Sequence, residues 1–147
     1  MLTIVRTTLD PVLASQLRIS VMRLARRLRQ QRTDDRLTAS QIAALATLDR
    51  EGPLTLGELA AREHVQPPSM TRITAALEDL GLVARAPHPA DKRQVLFAPT
   101  PAGSKLLVAD RKRRDAWLCT HLGGLTADEL ATLRAAAPIL ERLATTR

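Results

Sequence analysis

The sequence predicts a mostly α-helical protein with one small β-hairpin. Its 147 residues are rich in leucine and alanine but include one tryptophan, one phenylalanine and no tyrosine, which suits helix packing better than a β-sandwich. Three segments begin with a threonine that is followed three residues later by glutamate or glutamine, the pattern of a helical capping box. The length is that of one domain, so we expect a single unit over residues 1–147.

The first predicted helix runs from about Asp10 to Arg32. Its leucines and valine recur at intervals of three or four residues, so they share one helical face. That face carries Leu13, Leu17, Val21, Leu24 and Leu28. The opposite faces carry five arginines, which makes the helix apolar on one side and basic on the other.

Three more helices are predicted in the next part of the chain. A capping box at 38–41 opens the second helix, which stops at the Gly-Pro pair 52–53. Its inward face holds Ile42, Leu45 and Leu48. A capping box at 55–58 opens a short third helix, which must end before the two prolines 67–68 because the residue before a proline avoids the helical conformation. A fourth helix starts near Pro68 and runs to Gly81.

A hairpin and two long helices complete the prediction. Short strands at 82–86 and 94–98 are joined by a loop of turn-forming residues with a charged tip. Thr100 caps a fifth helix, and the capping box at 126–129 opens the last helix, in which Pro138 predicts a kink or a local break. The apolar stripes of the terminal helices need cover, and a second copy of the chain is the simplest candidate.

The charge pattern favours an anionic partner. The chain carries 22 basic and 15 acidic side chains, a net charge of +7. Residues 1–37 hold +5 and residues 101–122 hold +3, whereas residues 54–100 are neutral. Every apolar run is shorter than the roughly 18 residues of a membrane span, so no membrane partner is expected. A single cysteine and the absence of a leader segment indicate the cytoplasm.

Residues 55–100 give a helix, a tight turn, a helix and a hairpin, which is the order of a winged helix-turn-helix. The fourth helix, about 20 Å long and about 10 Å across, fits lengthwise into a major groove about 12 Å wide. Its first turns are predicted to expose hydroxyls and one cation that can meet phosphates and base edges, together with backbone donors and a positive dipole end. These side chains belong to Ser69, Thr71, Arg72 and Thr74.

The tip of the hairpin carries two cations. Lys92 and Arg93 can reach a neighbouring minor groove, and Asp91 is expected to hold a guanidinium in one orientation. Simpler interpretations stay open for both segments, namely an ordinary capped surface helix and a solvated charged turn.

Four segments of the chain resemble the MarR family of bacterial transcription regulators. They are 69–72 (SMTR), 80–83 (LGLV), 91–93 (DKR) and 96–103 (LFAPTPAG). The similarity covers nearly the whole chain, because the first, fifth and sixth helices match that family's dimerisation domain in order and length. The resemblance implies a winged-helix unit over 38–100, flanked by dimerisation helices within 1–36 and 101–147.

The resemblance also implies a function. It implies a homodimer that binds a pseudo-palindromic operator, usually as a repressor, and that is released by a small molecule or by oxidation. It carries over Pro68, Ser69 and Arg72 as major-groove and phosphate contacts, and Arg93 with Lys92 as the minor-groove contact. It further suggests an effector pocket between the first, second and fifth helices, although residues with this spacing more often form plain core. The pocket residues would be Leu17, Ile42, Leu45 and Trp117.

No motif typical of an enzyme, a metal site or a cofactor site occurs in the sequence. Glycine-rich phosphate loops and nucleophile elbows are missing, and the three histidines lack the spacing of zinc ligands. Cys119 is expected to be buried or half-buried, with a redox switch as the alternative. Two rival functions stay open: a protein-interaction module that uses a winged helix without reading DNA, and a small-molecule carrier.

Overall fold

The structure, a computed structural model, describes residues 10–32 and 34–146. Residues 1–9, 33 and 147, which the predicted unit boundaries include, lie outside the described residues. Six helices and three strands form in the described ranges. They are α1 (Pro11–Gln30), α2 (Ala39–Glu51), β1 (Leu54–Thr55), α3 (Leu56–Glu63), α4 (Pro67–Asp79), β2 (Val83–Pro87), β3 (Val95–Pro99), α5 (Pro101–Leu122) and α6 (Ala127–Thr145). The predicted class, mostly helical with a small hairpin, is confirmed.

Threonine caps set the starts of the helices as predicted. Thr38, Thr55 and Thr126 each accept a hydrogen bond from the backbone N–H three residues on, and the glutamine or glutamate at that position bonds back to the N–H of the threonine. Thr100 caps α5 in the same way through the N–H of Gly103. These local bonds satisfy donors that a helix leaves open at its start, so the helix starts follow from local sequence.

The three strands form one antiparallel sheet in the order β1-β3-β2. The two residues of β1, which the sequence analysis missed, pair with Phe97 and Leu96 of β3. Strand β2 begins one residue later than predicted because the N–H of Leu82 closes the end of α4 by bonding to the Leu77 carbonyl at 2.9 Å. Gly81, in the left-handed conformation at φ 69°, makes that turn possible. Strand β3 also begins one residue later, at Val95.

The core lies between α2, α3, α4, the sheet and the start of α5. Its buried apolar residues are Leu37, Ile42, Ala44, Leu45, Leu48, Leu54, Leu59, Ala60, Met70, Leu77, Leu82, Val83, Phe97 and Leu107. Neither α1 nor α6 contributes a buried residue. The core therefore belongs to the helices and strands that carry the predicted DNA-binding elements.

Helix α5 leaves this unit through a close contact with the α4 exit. Thr100 donates its hydroxyl to the Gly81 carbonyl at 2.6 Å, and its N–H bonds to the Leu82 carbonyl at 3.0 Å. One turn later Gly103 lies so close to the Leu82 carbonyl that a Cβ atom would overlap it. The start of α5 is thereby fixed against the base of the hairpin.

The terminal helices expose their apolar stripes. Leu13, Leu17, Val21 and Leu24 of α1 and Leu133, Leu140 and Leu143 of α6 are all exposed. The α6 helix is continuous from Ala127 to Thr145, so the local break predicted at Pro138 does not occur. No helix in the described ranges is long and apolar enough to cross a membrane.

Candidate nucleic-acid interface

A tight turn joins α3 to α4. His64 ends α3 in the left-handed conformation, at φ 53°, and its N–H reaches back to the carbonyls of the last turn. The N–H of Val65 also turns back, to the Ala60 carbonyl at 3.1 Å. The chain then enters α4 at two consecutive prolines, whose fixed φ suits a first helical turn.

Helix α4 turns its apolar side to the core and its polar side to solvent. Met70 and Leu77 are fully buried. Pro68, Ser69, Thr71 and Arg72 are exposed, as predicted. We call these four residues the exposed edge of α4. Within the described residues, the Arg72 guanidinium has no hydrogen-bond or ion-pair partner, so it is available to a partner molecule.

The predicted exposure of Thr74 is wrong. Its side chain is 1% exposed, and its hydroxyl donates to the Met70 carbonyl at 3.0 Å and lies 3.1 Å from the Thr71 carbonyl. Thr74 lies one turn after Met70, on the side of α4 that packs on the core. It is therefore a core residue and cannot contact DNA.

The expected backbone donors at the start of α4 are also absent. Pro67 and Pro68 have no N–H, and the N–H of Ser69 is already bonded to the Gln66 carbonyl at 2.9 Å. Only the positive end of the helix dipole and the side chains of the exposed edge of α4 remain to attract an anion.

The hairpin exposes the two predicted cations. Lys92 and Arg93 are both exposed, and neither side chain has an ion-pair partner within the described residues. Asp91 plays a different part from the predicted one, because its Oδ1 accepts the backbone N–H of Arg93 at 3.0 Å and does not bind a guanidinium. The carboxylate shapes the backbone of the tip, which leaves the Arg93 side chain unpaired.

Sequence reasoning missed the ion pair that links α4 to the hairpin. Arg85 of β2 donates to both carboxylate oxygens of Glu78, at 2.5 and 2.8 Å, and lies over the Phe97 ring at 5.4 Å from its centre. The hydrogen bonds lower the pKa of Glu78 and raise the pKa of Arg85. The signal available in the sequence was weak: a charge at the end of α4 and an opposite charge in the next strand.

Most acidic side chains of residues 54–100 bind groups of the same unit; Asp79 is exposed and has no partner within the described residues. Glu78 pairs with Arg85, Glu58 caps α3, and Glu63 accepts the hydroxyl of Thr47 at 2.5 Å. These carboxylates are bound to groups of the same unit and do not pair with Arg72 or the hairpin tip. Arg72, Lys92 and Arg93 therefore stay unpaired within the described residues, although the segment as a whole is neutral.

A cavity of about 330 Å³ lies where the effector pocket was predicted, between α1, α2 and α5. Ile42 lines it, but the other three predicted residues do not. Leu45 is fully buried in the core. Leu17 lines a separate groove between α1 and α6, and Trp117 stacks on His121 with Arg27 over its ring. The positions that do line the cavity are Ala25, Leu28, Arg29, Arg32, Ala39, Ile42, Ala43, Ala46 and Arg114.

The remaining reactive side chains form no second site. Cys119 is exposed, so the expectation that it is buried or half-buried is wrong. No cluster of three or more histidine, cysteine, aspartate or glutamate side chains suited to a metal ion occurs within the described ranges.

Comparison with known proteins agrees with this geometry. Residues 37–95, from just before α2 to the start of β3, match the MarR family. The chain is 47% identical over 131 residues to an uncharacterised HTH-type transcriptional regulator of Mycobacterium bovis, covering 89% of this chain and 92% of that protein.

The similarity to solved structures extends beyond the residues that match the family. A putative transcriptional regulator of Pseudomonas aeruginosa is 34% identical, has a TM-score of 0.83 and covers 92% of this chain and 95% of its own. A Staphylococcus aureus MepR variant with a bound oligodeoxyribonucleotide is 21% identical, has a TM-score of 0.69 and covers 90% of this chain and 98% of its own, a likeness of fold alone. The multiple antibiotic resistance protein MarR of Salmonella typhimurium is 36% identical over 98 residues, covering 66% of this chain and 68% of that protein. This chain belongs to the MarR family of helix-turn-helix transcriptional regulators, a family of DNA-binding proteins and not of enzymes.

Proposed function

We propose that the protein acts in the cytoplasm as a homodimer that binds a pseudo-palindromic operator. The observation that carries this proposal is the distribution of partners around the DNA-binding unit. Most of its carboxylates, Glu78 and Glu63 among them, are bound internally, whereas Arg72, Lys92 and Arg93 are exposed and unpaired within the described residues. We assign 38–100 as the DNA-binding unit and the helices within 1–36 and 101–147 as the dimerisation unit.

The exposed edge of α4 supplies the major-groove contacts in this proposal. Ser69 and Thr71 offer hydroxyls to phosphates and bases, while Arg72 can reach a guanine or a phosphate. Lys92 and Arg93 enter the minor groove beside it, where narrow A·T-rich stretches attract cations. Pro68 packs against the sugar-phosphate backbone.

The terminal helices support the dimer. Apolar side chains along α1 and α6 are exposed in the single chain, and a stable fold buries such stripes against a partner. A twofold axis through these helices would pair two α4 helices, which must lie about 34 Å apart to enter successive major grooves on one face of DNA.

A small molecule bound in the cavity between α1, α2 and α5 can change the distance between the two α4 helices of the dimer. It lies between a helix of the dimerisation unit and a helix of the DNA-binding unit. Leu28 and Ile42 provide apolar walls, and Arg29 provides a cationic group, whereas Arg32 donates to the Leu37 carbonyl and Arg114 pairs with Asp110. We expect a small apolar anion to bind there and to release DNA when it favours a different separation of the α4 helices. Repression follows if the operator overlaps a promoter.

The test is binding to DNA from upstream of the protein's own gene, compared with a scrambled duplex at two salt concentrations. We expect specific binding with dimer stoichiometry that weakens steeply with salt, because phosphate contacts release counterions. Arg72→Ala should weaken operator binding by about tenfold, and Arg93→Ala should reduce the preference for A·T-rich flanks. Lys112→Ala on α5 is the control, since Lys112 is exposed outside the DNA-binding unit and away from the stripes of α1 and α6.

Three outcomes would contradict the proposal. Unchanged operator affinity in both folded variants would show that the assigned surface is wrong. Equal and weak binding to both duplexes with little salt dependence would favour the protein-interaction module, and ligand binding without operator binding would favour the carrier.

A further inference from the structure

The hairpin tip is organised around a histidine ring. We call residues 88–94 the wing turn. Its backbone is closed by the His88 N–H bonded to the Gln94 carbonyl at 3.1 Å and by the Gln94 N–H bonded to the Asp91 carbonyl at 3.0 Å. Inside it, Nδ1 of His88 accepts two backbone N–H bonds, from Ala90 at 3.1 Å and from Asp91 at 3.2 Å. The half-buried ring thus holds the backbone just before Lys92 and Arg93.

These two bonds require one protonation state of the ring. Nδ1 can accept a hydrogen bond only through its lone pair, so the ring must be neutral with its proton on Nε2. A protonated ring would place an N–H against two other N–H donors, and both bonds would be lost. Histidine is the side chain that ordinarily makes this change of charge between about pH 5 and 8.

We propose that His88 is a positioning residue of the DNA-binding surface, which holds the wing turn in its binding shape only while Nδ1 is unprotonated. Acid then weakens DNA binding by releasing the backbone that presents Lys92 and Arg93. This inference rests on the proposed contact between the wing turn and DNA.

The charged groups around His88 interact differently with the neutral ring and with the protonated ring. Glu58 of α3 is near enough for its charge to interact with His88, and its pKa is lowered mainly by hydrogen bonds from Thr55 and to a smaller extent by Arg62 and His88. It therefore stays ionised and attracts a cationic ring toward α3. In the wing turn, Lys92 and Arg93 repel a cationic ring, whereas Asp91 attracts one. A protonated ring thus loses its two backbone hydrogen bonds and is attracted to the carboxylates of Glu58 and Asp91, which moves the ring.

Three variants distinguish the hydrogen-bond acceptor that His88 provides from the charge that its ring gains in acid. In His88→Asn the side-chain oxygen can accept the same two N–H bonds and does not gain a proton in this range. His88→Ala removes the acceptor. His121→Asn is the control for histidine titration elsewhere, because His121 is exposed on α5 and its Nδ1 lies 2.7 Å from the Trp117 carbonyl.

Operator affinity of the full-length dimer is measured at about pH 7.5 and about pH 5.5. We expect the wild type and His121→Asn to lose roughly tenfold in affinity on acidification, and His88→Asn to lose less than about twofold. His88→Ala should bind weakly at both pH values. A wild type that responds to acid no more than His88→Asn would overturn the inference, since phosphate attraction for a cationic ring would then equal or exceed the loss of the turn.

A measurement on the free protein keeps this failure distinct from a failure of the proposed function. NMR correlations of the His88 ring nitrogens should show Nδ1 unprotonated near neutral pH, and the amide signals of Ala90 and Asp91 should move as the ring titrates. A proton on Nδ1 at neutral pH, or amide signals that do not move, would overturn the inference without DNA. If Arg93→Ala also leaves DNA binding unchanged, the contact of the wing turn with DNA is wrong; if Arg93→Ala weakens binding, only the role of His88 is wrong.

Discussion

At Gly103 the absence of a side chain decides where α5 can lie. A Cβ atom there would overlap the Leu82 carbonyl oxygen and press on the Leu45 side chain. Both neighbours belong to the core, and the Leu82 carbonyl already accepts the N–H of Thr100. Neither can move without disturbing the junction between α5 and the hairpin.

Gly103→Ala should lower the free energy of unfolding by about 2 to 3 kcal/mol, because overpacking against fixed backbone is costly. Gly57→Ala is the control: nothing lies within 4 Å of its Cβ position in α3, and alanine favours a helix. Denaturant unfolding of both variants measures the difference. Equal stability of the two variants would show that α5 can shift away from Leu82.

A variant at Thr74 tests whether this residue of α4 belongs to the core or contacts DNA. Thr74→Val removes a hydroxyl that is bonded only to carbonyls of the same helix, so we expect the free energy of unfolding to change by about 1 kcal/mol or less. Operator affinity should stay within about twofold of the wild type, because the side chain is buried. Fluorescence anisotropy with labelled operator measures this, with Arg72→Ala as the positive control. A large loss of affinity with unchanged stability would place Thr74 in the interface.

At the scale of elements, the Glu78–Arg85 pair joins the end of α4 to β2. The two groups meet through two hydrogen bonds, with Arg85 also lying over the Phe97 ring of β3. Arg85 and Phe97 are directly opposed across the hairpin. The pair therefore connects the helix that carries the exposed edge with both strands that carry the wing turn.

The lowered pKa of Glu78 predicts a pH dependence of stability. A carboxyl whose pKa is lower in the folded state stabilises the fold above its ordinary pKa of about 4.3, and this stabilisation is lost as pH falls through the lowered value. Glu78→Gln should therefore lower Tm by a few degrees near neutral pH and have no effect near about pH 2. Thermal denaturation of wild type and variant across this range provides the check. A difference in Tm that persists at the acid end would mean that packing, and not charge, links the two elements.

At the scale of the whole molecule, charge and apolar surface are divided between two parts. The basic excess lies on α1 and α5, where several cations serve the structure: Arg32 donates to the Leu37 carbonyl at 2.9 Å, Arg113 donates to the Arg32 carbonyl at 2.6 Å, and Arg27 lies over Trp117. Two of these guanidiniums thus bind backbone oxygens around the end of α1, and all three help to join α1 to α2 and α5. The DNA-binding unit has no such basic excess, but Arg72, Lys92 and Arg93 have no partner within the described residues.

The exposed stripes of α1 and α6 predict that the chain dimerises through its ends. Leu17→Glu or Leu140→Glu should convert the dimer to a monomer at micromolar concentration, because a buried carboxylate at an apolar interface is costly. Val95→Glu is the control. The Val95 side chain is exposed at the start of β3, so this variant should leave the dimer intact. Sedimentation velocity measures the mass. A dimer that persists in both leucine variants would place the interface elsewhere.

The sequence by itself determined the elements and their order. Capping residues fix helix starts through bonds within three residues, and glycine and proline end helices through backbone restrictions, so the six helices and the hairpin could be predicted from local patterns. The exposure of Ser69, Thr71 and Arg72 could be predicted from the start of the fourth helix, and the family resemblance added Pro68 and joined these elements to DNA binding. Local patterns failed at Thr74, since a polar residue one turn from a buried one can lie on either side of a helix.

Only the tertiary structure decided which groups meet. The strand β1, the Glu78–Arg85 pair and the residues around the α1–α2–α5 cavity depend on contacts between different elements, which spacing along the chain does not specify. The wing turn is a further example. Nδ1 of His88 can face two backbone N–H groups only because the path of the backbone in three dimensions brings them to the ring. Periodicity reports which side of an element a residue occupies, whereas a hydrogen bond or an ion pair requires two groups to approach within about 3 Å, which packing alone arranges.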